Sequence, residues 1–354
     1  MPTLSRFLFF FYFNVLMPAI RKTQYWRYRA FARNTGLCVR SYQPGDEREI
    51  IRLFHVTFRK RKSLRRWRWE FLENPYGKAN IVLLESDKVG ILGHYGGIPI
   101  RFNFRGVIIP VAQSADVMIH PDFRGRATLE RLVHTYIRNS RDNGMKLLYG
   151  FNEAVVARSN RRFFGAELAP VSEWVCEIPH SQALHESADN DLEVSLVARF
   201  DAQTDALWER IKGSYSCAAV RDNHYLNWRY SDQSDRNYTL YQAADPSSGQ
   251  LVAIAVLGVS EADGLILELL SDPNDTEAIA ALLRISLWHF SRAGKLRVRV
   301  WLSAHGKLRT CAQAAGFRPL DSGLYLNLLS LDDSLNAAAL KEDFYYTFGD
   351  YDVY

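Results

Sequence analysis

The same order of elements can be read twice along this 354-residue chain, and that repetition limits the fold more than any single motif. In the first half, Leu37–Gln43 alternates like a strand and stops at Pro44-Gly45. Apolar residues at Ile50, Leu53, Phe54 and Phe58 then have helical spacing. A second short helix carries Trp67, Trp69, Phe71 and Leu72 before Asn74-Pro75-Tyr76-Gly77 breaks it. A hairpin (Ile81–Leu84 and Val89–Tyr95 across Ser86-Asp87-Lys88) leads to strands Ile98–Phe104 and Val107–Ile119. Leu129, Leu132, Val133, Tyr136 and Ile137 mark a long amphipathic helix that stops at Asn143-Gly144. Strand Lys146–Phe151 and helix Glu153–Phe164 close the series.

In the second half, strand Leu192–Phe200 and helix Thr204–Lys212 come first, and Tyr225–Tyr230 echoes Trp67–Phe71. A hairpin (Tyr238–Ala243 and Leu251–Gly258), strand Leu265–Leu270, a helix from Thr276 to Ala293 stopped by Gly294, strand Leu296–Leu302 and a helix ending at Ala315-Gly316-Phe317 follow. The shared order predicts a duplication, with halves at 37–180 and 192–330. Each reads as a mixed, mostly antiparallel sheet flanked by helices, an α/β (α+β) class. The polar stretch 180–191 is the linker, 1–36 an apolar and basic N-terminal segment, and 331–354 a C-terminal tail. One large domain is the alternative reading.

Composition excludes several classes. Hydrophobic residues make up 47% and charged residues 23%, a globular profile. The net charge of +5 gives no bulk field for nucleic acid, and no nucleic-acid partner is expected. Cations nevertheless cluster at Arg59, Lys60, Arg61, Lys62, Arg65, Arg66 and Arg68, which read equally as a solvated helix face or as a surface for an anionic partner. Four dispersed cysteines suit free thiols in a reducing cytoplasm. The histidines form no metal-ligand pattern, no metal is expected, and no G-x-S-x-G elbow supports a serine hydrolase.

Phe7–Ile20 is strongly apolar and aromatic, and Arg21-Lys22 follow it directly. It falls short of the ~20 residues that span a bilayer. Three readings stay open: an interfacial anchor, a helix docked on the protein itself, or a translation start assigned too far upstream. Aromatic residues beside a basic cluster suit the membrane interface, so a peripheral contact through residues 7–33 at the inner face is the expectation.

Chemistry concentrates in Ala115–Leu129, where a strand reaches His120-Pro121 and a turn containing Gly125 opens straight into the long helix. Unpaired N–H groups at such a helix start can hold a phosphate, and Arg124 and Arg126 add positive charge. Ile119-His120-Pro121-Asp122-Phe123-Arg124-Gly125-Arg126 resembles the signature h-x-P-x-aromatic-R-G-x-G-x-G/A of the GNAT superfamily of acyl-CoA-dependent N-acetyltransferases. Ala127 stands where that pattern has its second glycine, and Leu129 takes its final small position. The resemblance extends from about Leu37 to Ala166. With Trp67, Trp69, Asn74–Gly77, Trp228-Arg229-Tyr230 and the closing Thr347–Asp352, it points to a tandem subgroup associated with bacterial polysaccharide or cell-envelope biosynthesis.

The resemblance implies acetyl-CoA as co-substrate and a small amine as acceptor, an amino sugar or an envelope precursor. It implies that backbone groups of Met118 and Ile119 contact the acyl and pantetheine portion. Amides of Gly125, Arg126, Ala127, Thr128 and Leu129 would hold the pyrophosphate, and Asn152 would reach the pantetheine arm. The tyrosine that commonly protonates the departing thiolate corresponds to Ser159 or Arg161, neither of which is tyrosine. Asp116 is the best-placed carboxylate for proton removal, with a purely structural role as its alternative. Alternation places Asp116, Met118 and His120 on one face and Val117 with Ile119 on the other. His94 and His120 are unassigned alternatives, and Glu85 faces solvent at the hairpin.

In the second half the corresponding turn, Ser271–Asp275, is acidic and would repel a pyrophosphate, so that half reads as a structural or substrate-shaping partner. Competing functions are a catalytically silent scaffold of the same fold and an aminoacyl-transferring relative that uses charged tRNA.

Overall fold

The computed structural model describes residues 36–178, 192–233 and 235–353. The linker 180–191 and the proposed membrane segment 7–33 lie outside the described residues. The first half runs β1 (Cys38–Ser41), α1 (Glu47–Phe58), α2 (Leu64–Phe71), β2 (Asn80–Ser86), β3 (Gly90–Phe104), β4 (Val107–Ile119), α3 (Arg126–Asp142), β5 (Leu147–Glu153), α4 (Ala154–Phe164) and β6 (Glu167–Glu177). The second runs β7 (Glu193–Val197), α5 (Ala202–Ile211), β8 (Cys217–Ala219), α6 (Asn223–Leu226), β9 (Thr239–Ala244), β10 (Leu251–Val259), β11 (Gly264–Ser271), α7 (Thr276–Arg292), β12 (Arg297–Trp301), α8 (Leu308–Ala314), β13 (Arg318–Ser330) and α9 (Ala337–Asp343).

The chain sorts into two compact units that cut across the sequence halves. The first contains residues 36–68, 79–97 and 115–140, and the second 69–78, 98–114 and 141 onward. In the first unit, β1 pairs antiparallel with β2, Cys38 opposite Glu85, and β2 pairs antiparallel with β3, Ile81 opposite Gly96. Ile50 and Leu53 of α1 and Leu132, Val133 and Tyr136 of α3 are buried, as the helical spacing requires. Gly97 is needed for packing: a Cβ there would lie 1.7 Å from the Tyr136 hydroxyl. Tyr136 in turn stacks on Tyr95 at 3.7 Å between ring centroids. Glu85 does not simply face solvent. It takes Arg40 Nε at 2.5 Å, and Arg40 also bridges to Asp46.

In the second unit the strand order explains why the halves are not separate bodies. β13 pairs antiparallel with β5 on one side, Leu326 opposite Phe151, and with β6 on the other, Leu326 opposite Ala169. β6 pairs in turn with β12, Val298 opposite Cys176. Each half therefore gives its last strand to the other half's sheet. Beyond β12 the order continues β11, β10, β9, β7, all antiparallel except β11–β12. Parallel pairing spans three residues in each half, Val111–Gln113 with Leu147–Tyr149 and Gly264–Ile266 with Val298–Val300.

Residues 331–353 are no loose tail. Leu335, Leu340, Phe344, Tyr345, Tyr346 and Phe348 are buried, and Asp350 is fully enclosed. Arg221 Nη2 donates to Asp350 Oδ2 at 2.6 Å and Arg221 Nε to Glu268 Oε2 at 3.2 Å. Burying an unpaired carboxylate would be prohibitive, so this arginine ties the C-terminal segment to β11.

Candidate functional site

β4 delivers the chain to His120, a 3-10 turn covers Pro121–Phe123, and α3 begins at Arg126. The first helical bond runs from Leu129 N–H to Gly125 O at 3.0 Å. The amides of Arg126, Ala127 and Thr128 precede it and have no acceptor within the helix. Leu129 was grouped with these amides by the resemblance, but its N–H is spent inside the helix. Ala127 sits in helical backbone without a positive φ, so glycine's freedom is not needed there.

The charge at this helix start has the opposite sign from that of α1, α5 and α7, a feature it shares with the short helices α2 and α8. α1 opens with Glu47 and Glu49, α5 with Asp201 capping Gln203 N–H, and α7 with Asp275 capping Ala278 N–H. Acids there complement the positive end of the helix dipole. The first turn of α3 has no acid and is flanked by Arg124 and Arg126. Arg124 and Arg126 put positive charge at a positive helix end, met in part by Glu130 on Arg126, and an anion there would complement both. Thr128 adds to this: the residue is fully buried, and its hydroxyl has no hydrogen-bond partner among the described residues. Thr128 Oγ1 lies 3.8 Å from where a Gly125 Cβ would stand, so the hydroxyl borders the glycine.

Both arginines are exposed and lightly tethered. Arg124 Nε donates to Ile119 O at 3.3 Å, and Arg126 Nε to Glu130 Oε1 at 2.7 Å. A shallow depression of about 530 Å³ runs along α3 between Val39, Ala127, Glu130, Arg131, His134 and Thr135. Of the residues assigned to phosphate binding, it reaches Ala127.

Toward its end β4 is kinked at Asp116, whose φ of 48° is left-handed. The kink breaks the strand alternation: Asp116, Met118 and Ile119 are buried while Val117 is 39% exposed. The two faces predicted from period two therefore do not form, since Ile119 does not share Val117's exposure. The Asp116 carboxylate accepts from Lys62 Nζ at 2.5 Å, with both side chains buried. The Asp116 carbonyl bonds His94 Nδ1 at 2.7 Å. A carbonyl only accepts, so Nδ1 is the protonated nitrogen. His120 is tied to the turn, its side chain accepting from Asp122 N–H at 3.3 Å. Lys62 is the residue sequence reasoning missed as a site member. It lies in a basic run, and nothing in residue type separates it from neighbours that face solvent.

Asn152, Ser159 and Arg161 belong to the second unit. Asn152, at the end of β5, accepts from Asn160 Nδ2 at 3.2 Å. Ser159 Oγ donates back to Val155 O at 2.9 Å, and Arg161 is exposed on α4. In the same unit the start of α7 is closed by its own chain. Asp275 occupies the cap, Lys307 N–H donates to Pro273 O at 2.6 Å, and Gly306 packs so tightly on Pro273 that a Cβ would lie 2.2 Å from its carbonyl oxygen.

Residues 38–163 match the family described as Acetyltransferase (GNAT) domain. No protein with a curated description matches the chain in sequence. Among solved structures, a conserved protein of unknown function from Enterococcus faecalis, described as a probable N-acyltransferase, is 12% identical with a TM-score of 0.64, over 84% of this chain and 73% of that one. A tandem GNAT protein from the clavulanic acid biosynthesis pathway is 11% identical with a TM-score of 0.57, over 84% of this chain and 100% of that one. N-myristoyltransferase from Saccharomyces cerevisiae, solved with bound myristoyl-CoA, is 12% identical with a TM-score of 0.55, over 82% of each chain.

Proposed function

We propose that the protein is an acyl-CoA-dependent N-acyltransferase, a reading that starts from the match of residues 38–163 to the Acetyltransferase (GNAT) domain family and from the likeness of the chain's fold to a tandem GNAT protein. The observation that carries the reading is the start of α3: a glycine cap, amides with no acceptor within the helix, flanking Arg124 and Arg126, and a buried Thr128 hydroxyl without a partner among the described residues. That set fits a pyrophosphate, because every group it offers is a donor or a positive charge. Gly125, Arg126, Ala127 and Thr128 would hold the phosphates through backbone N–H, with Arg124 beside them. Met118 and Ile119 would line the pantetheine arm.

An acyl-CoA, acetyl-CoA in our assignment, would supply a thioester carbonyl open to attack by a neutral amine. The amine nitrogen would bond to that carbonyl, the C–S bond would break, and CoA would leave as the thiol, so the one proton the amine loses balances the one the thiolate gains. The protein's part is to fix the carbonyl and take up the amine's proton. We assign the proton to Asp116, whose Oδ2 is held by Lys62 while Oδ1 is left to the acceptor or to a water. The acceptor class we favour is a small amine of the amino-sugar or cell-envelope kind.

A second reading, a GNAT scaffold without turnover, is favoured by one observation: Ser159 is back-bonded within α4 and Arg161 is exposed, so neither supplies a phenol. Calorimetry with acetyl-CoA, followed by a free-thiol assay over a panel of small amines, tests both. Binding with thiol release supports transfer, binding without release on any amine supports the scaffold, and no binding removes the acyl-CoA reading.

A further inference from the structure

Residues 59–63 connect α1 to α2, and from Phe58 at the end of α1 to Arg65 in the first turn of α2 every residue except Lys62 is exposed. α1 ends at Arg59 in a left-handed conformation with φ 57°, its N–H on His55 O. Lys62 turns inward onto Asp116, its ammonium 4.8 Å from the centre of the Phe54 ring. That buried contact staples the connection and sets the outward direction of its neighbours.

The outward side chains are Arg59, Lys60, Arg61 and Arg65, and none of them forms an ion pair with a described residue. Some other surface cations are paired, Arg126 with Glu130, Lys146 with Asp332, Arg199 with Asp232 and Arg297 with Asp263, while others such as Lys78, Arg138 and Arg158 form no ion pair with a described residue. What sets this segment apart is that its four unpaired cations lie within seven residues, 59–65. Adjacent like charges without a counter-charge repel one another, and an anionic surface relieves that repulsion. Among these cations stand two large apolar side chains, Phe58 at 40% and Leu64 at 39% exposure. A soluble phosphate would use the charges and leave both apolar groups in water. A bilayer interface uses both kinds, with cations at the headgroup phosphates and apolar groups at the acyl boundary.

We propose that the α1–α2 connection is a contact surface for an anionic lipid bilayer, with Arg59, Lys60, Arg61 and Arg65 on the headgroups and Phe58 and Leu64 entering the interface. No described helix is long and apolar enough to cross a membrane, and the contact proposed is peripheral. The sequence 7–33 repeats the same combination, an apolar aromatic run followed by Arg21, Lys22, Arg27, Arg29 and Arg33. Stable attachment takes two such signals. Because Lys62 links this surface to Asp116, a bound membrane would lie beside the strand assigned to proton transfer.

The test is co-sedimentation of the full-length chain with phosphatidylcholine vesicles, with and without phosphatidylserine, at low and high salt. Binding that requires phosphatidylserine and falls with salt is expected. The variant R59E/K60E/R61E/R65E should bind at least about tenfold more weakly, since each basic residue near such a surface is worth about a fivefold change. Its melting temperature should be unchanged, and R59Q/K60Q/R61Q/R65Q should show the same direction if charge reversal impairs folding. F58S/L64S should weaken binding while keeping its salt dependence. Equal sedimentation of parent and charge variants overturns the proposal. So does a parent that ignores vesicles but shifts single-stranded RNA in a gel through these same cations, which would assign the surface to nucleic acid.

Discussion

The indole N–H of Trp69 donates to the carbonyl of Trp228 at 2.8 Å, and the indole N–H of Trp228 donates to the carbonyl of Trp69 at 3.2 Å. The two rings stack at 4.9 Å with 20° between their planes. A contact in which each residue does to the other what it receives is the mark of a twofold relation. Trp69 and Trp228 are also the tryptophans whose surroundings echo each other in sequence, so the reciprocity fits a duplicated ancestor. Trp69→Phe and Trp228→Phe should each destabilise by about 1–3 kcal/mol, since each leaves a buried carbonyl without its donor. The double variant should cost measurably less than the sum in urea denaturation. Strict additivity would show that the two bonds act independently.

Elements with their own internal period were legible from sequence: α1, α3 and α7 repeat their apolar faces within one helix, and Gly144 and Gly294 end two of them. β6 and β13 were not, because what defines them is each other. β13 lies between β5 and β6, strands of the other half of the sequence, and no local pattern encodes that register. At the site, the helix start with Gly125 was legible because glycine and arginine in that order carry a backbone meaning. The kink at Asp116 was hidden, since a left-handed aspartate inside a strand has no sequence mark. Lys62 was hidden by neighbours of its own kind.

Lys62 and Asp116 form a buried ion pair with side-chain exposures of 5% and 7%. Removing one member leaves the other charged and enclosed, which typically costs about 3–5 kcal/mol. Lys62→Met and Asp116→Asn should therefore each lower stability by about that amount. Lys62→Met combined with Asp116→Asn should recover most of the loss. A double variant as unstable as the sum of the singles would mean that the pair contributes through other contacts.

Glu268 is fully enclosed, and burial pushes its carboxyl up to about 7; Arg221 opposes the rise, while Asp350 adds to it. An acid raised in the folded state holds more protons folded than unfolded. Its stabilising contribution is complete below the ordinary value of 4.5 and is lost as pH rises toward 7. The melting temperature should therefore carry a component that falls across that window and levels above it. Carboxylates held below their usual range, such as Asp263 beside Arg297, act at more acidic pH and in the opposite direction. Glu268→Gln keeps an acceptor for Arg221 and should flatten the fall. An unchanged profile in that variant would remove Glu268 as its source.

Gly125 and Asp275 begin the corresponding long helices of the two halves, and exchanging their chemistry tests which helix start binds acyl-CoA. At Gly125 a Cβ would meet only Thr128 Oγ1, at 3.8 Å, and the backbone φ is not left-handed. The fold therefore tolerates a side chain there, and what a larger one obstructs is approach from outside. Gly125→Val should leave the melting temperature nearly unchanged while weakening acetyl-CoA binding strongly in calorimetry. Thr128→Val, which keeps the shape and removes the unpartnered hydroxyl, should weaken binding by a smaller factor at unaltered or higher stability. Arg124→Ala should also weaken binding less than Gly125→Val, because a solvent-exposed charge contributes only part of a phosphate contact. Asp275→Ala should do the reverse of all three. It removes the cap on Ala278 N–H, costs about 1 kcal/mol of stability, and leaves acetyl-CoA affinity as it was. If Asp275→Ala altered affinity while Gly125→Val did not, the acyl-CoA site would have to be moved from α3 to α7.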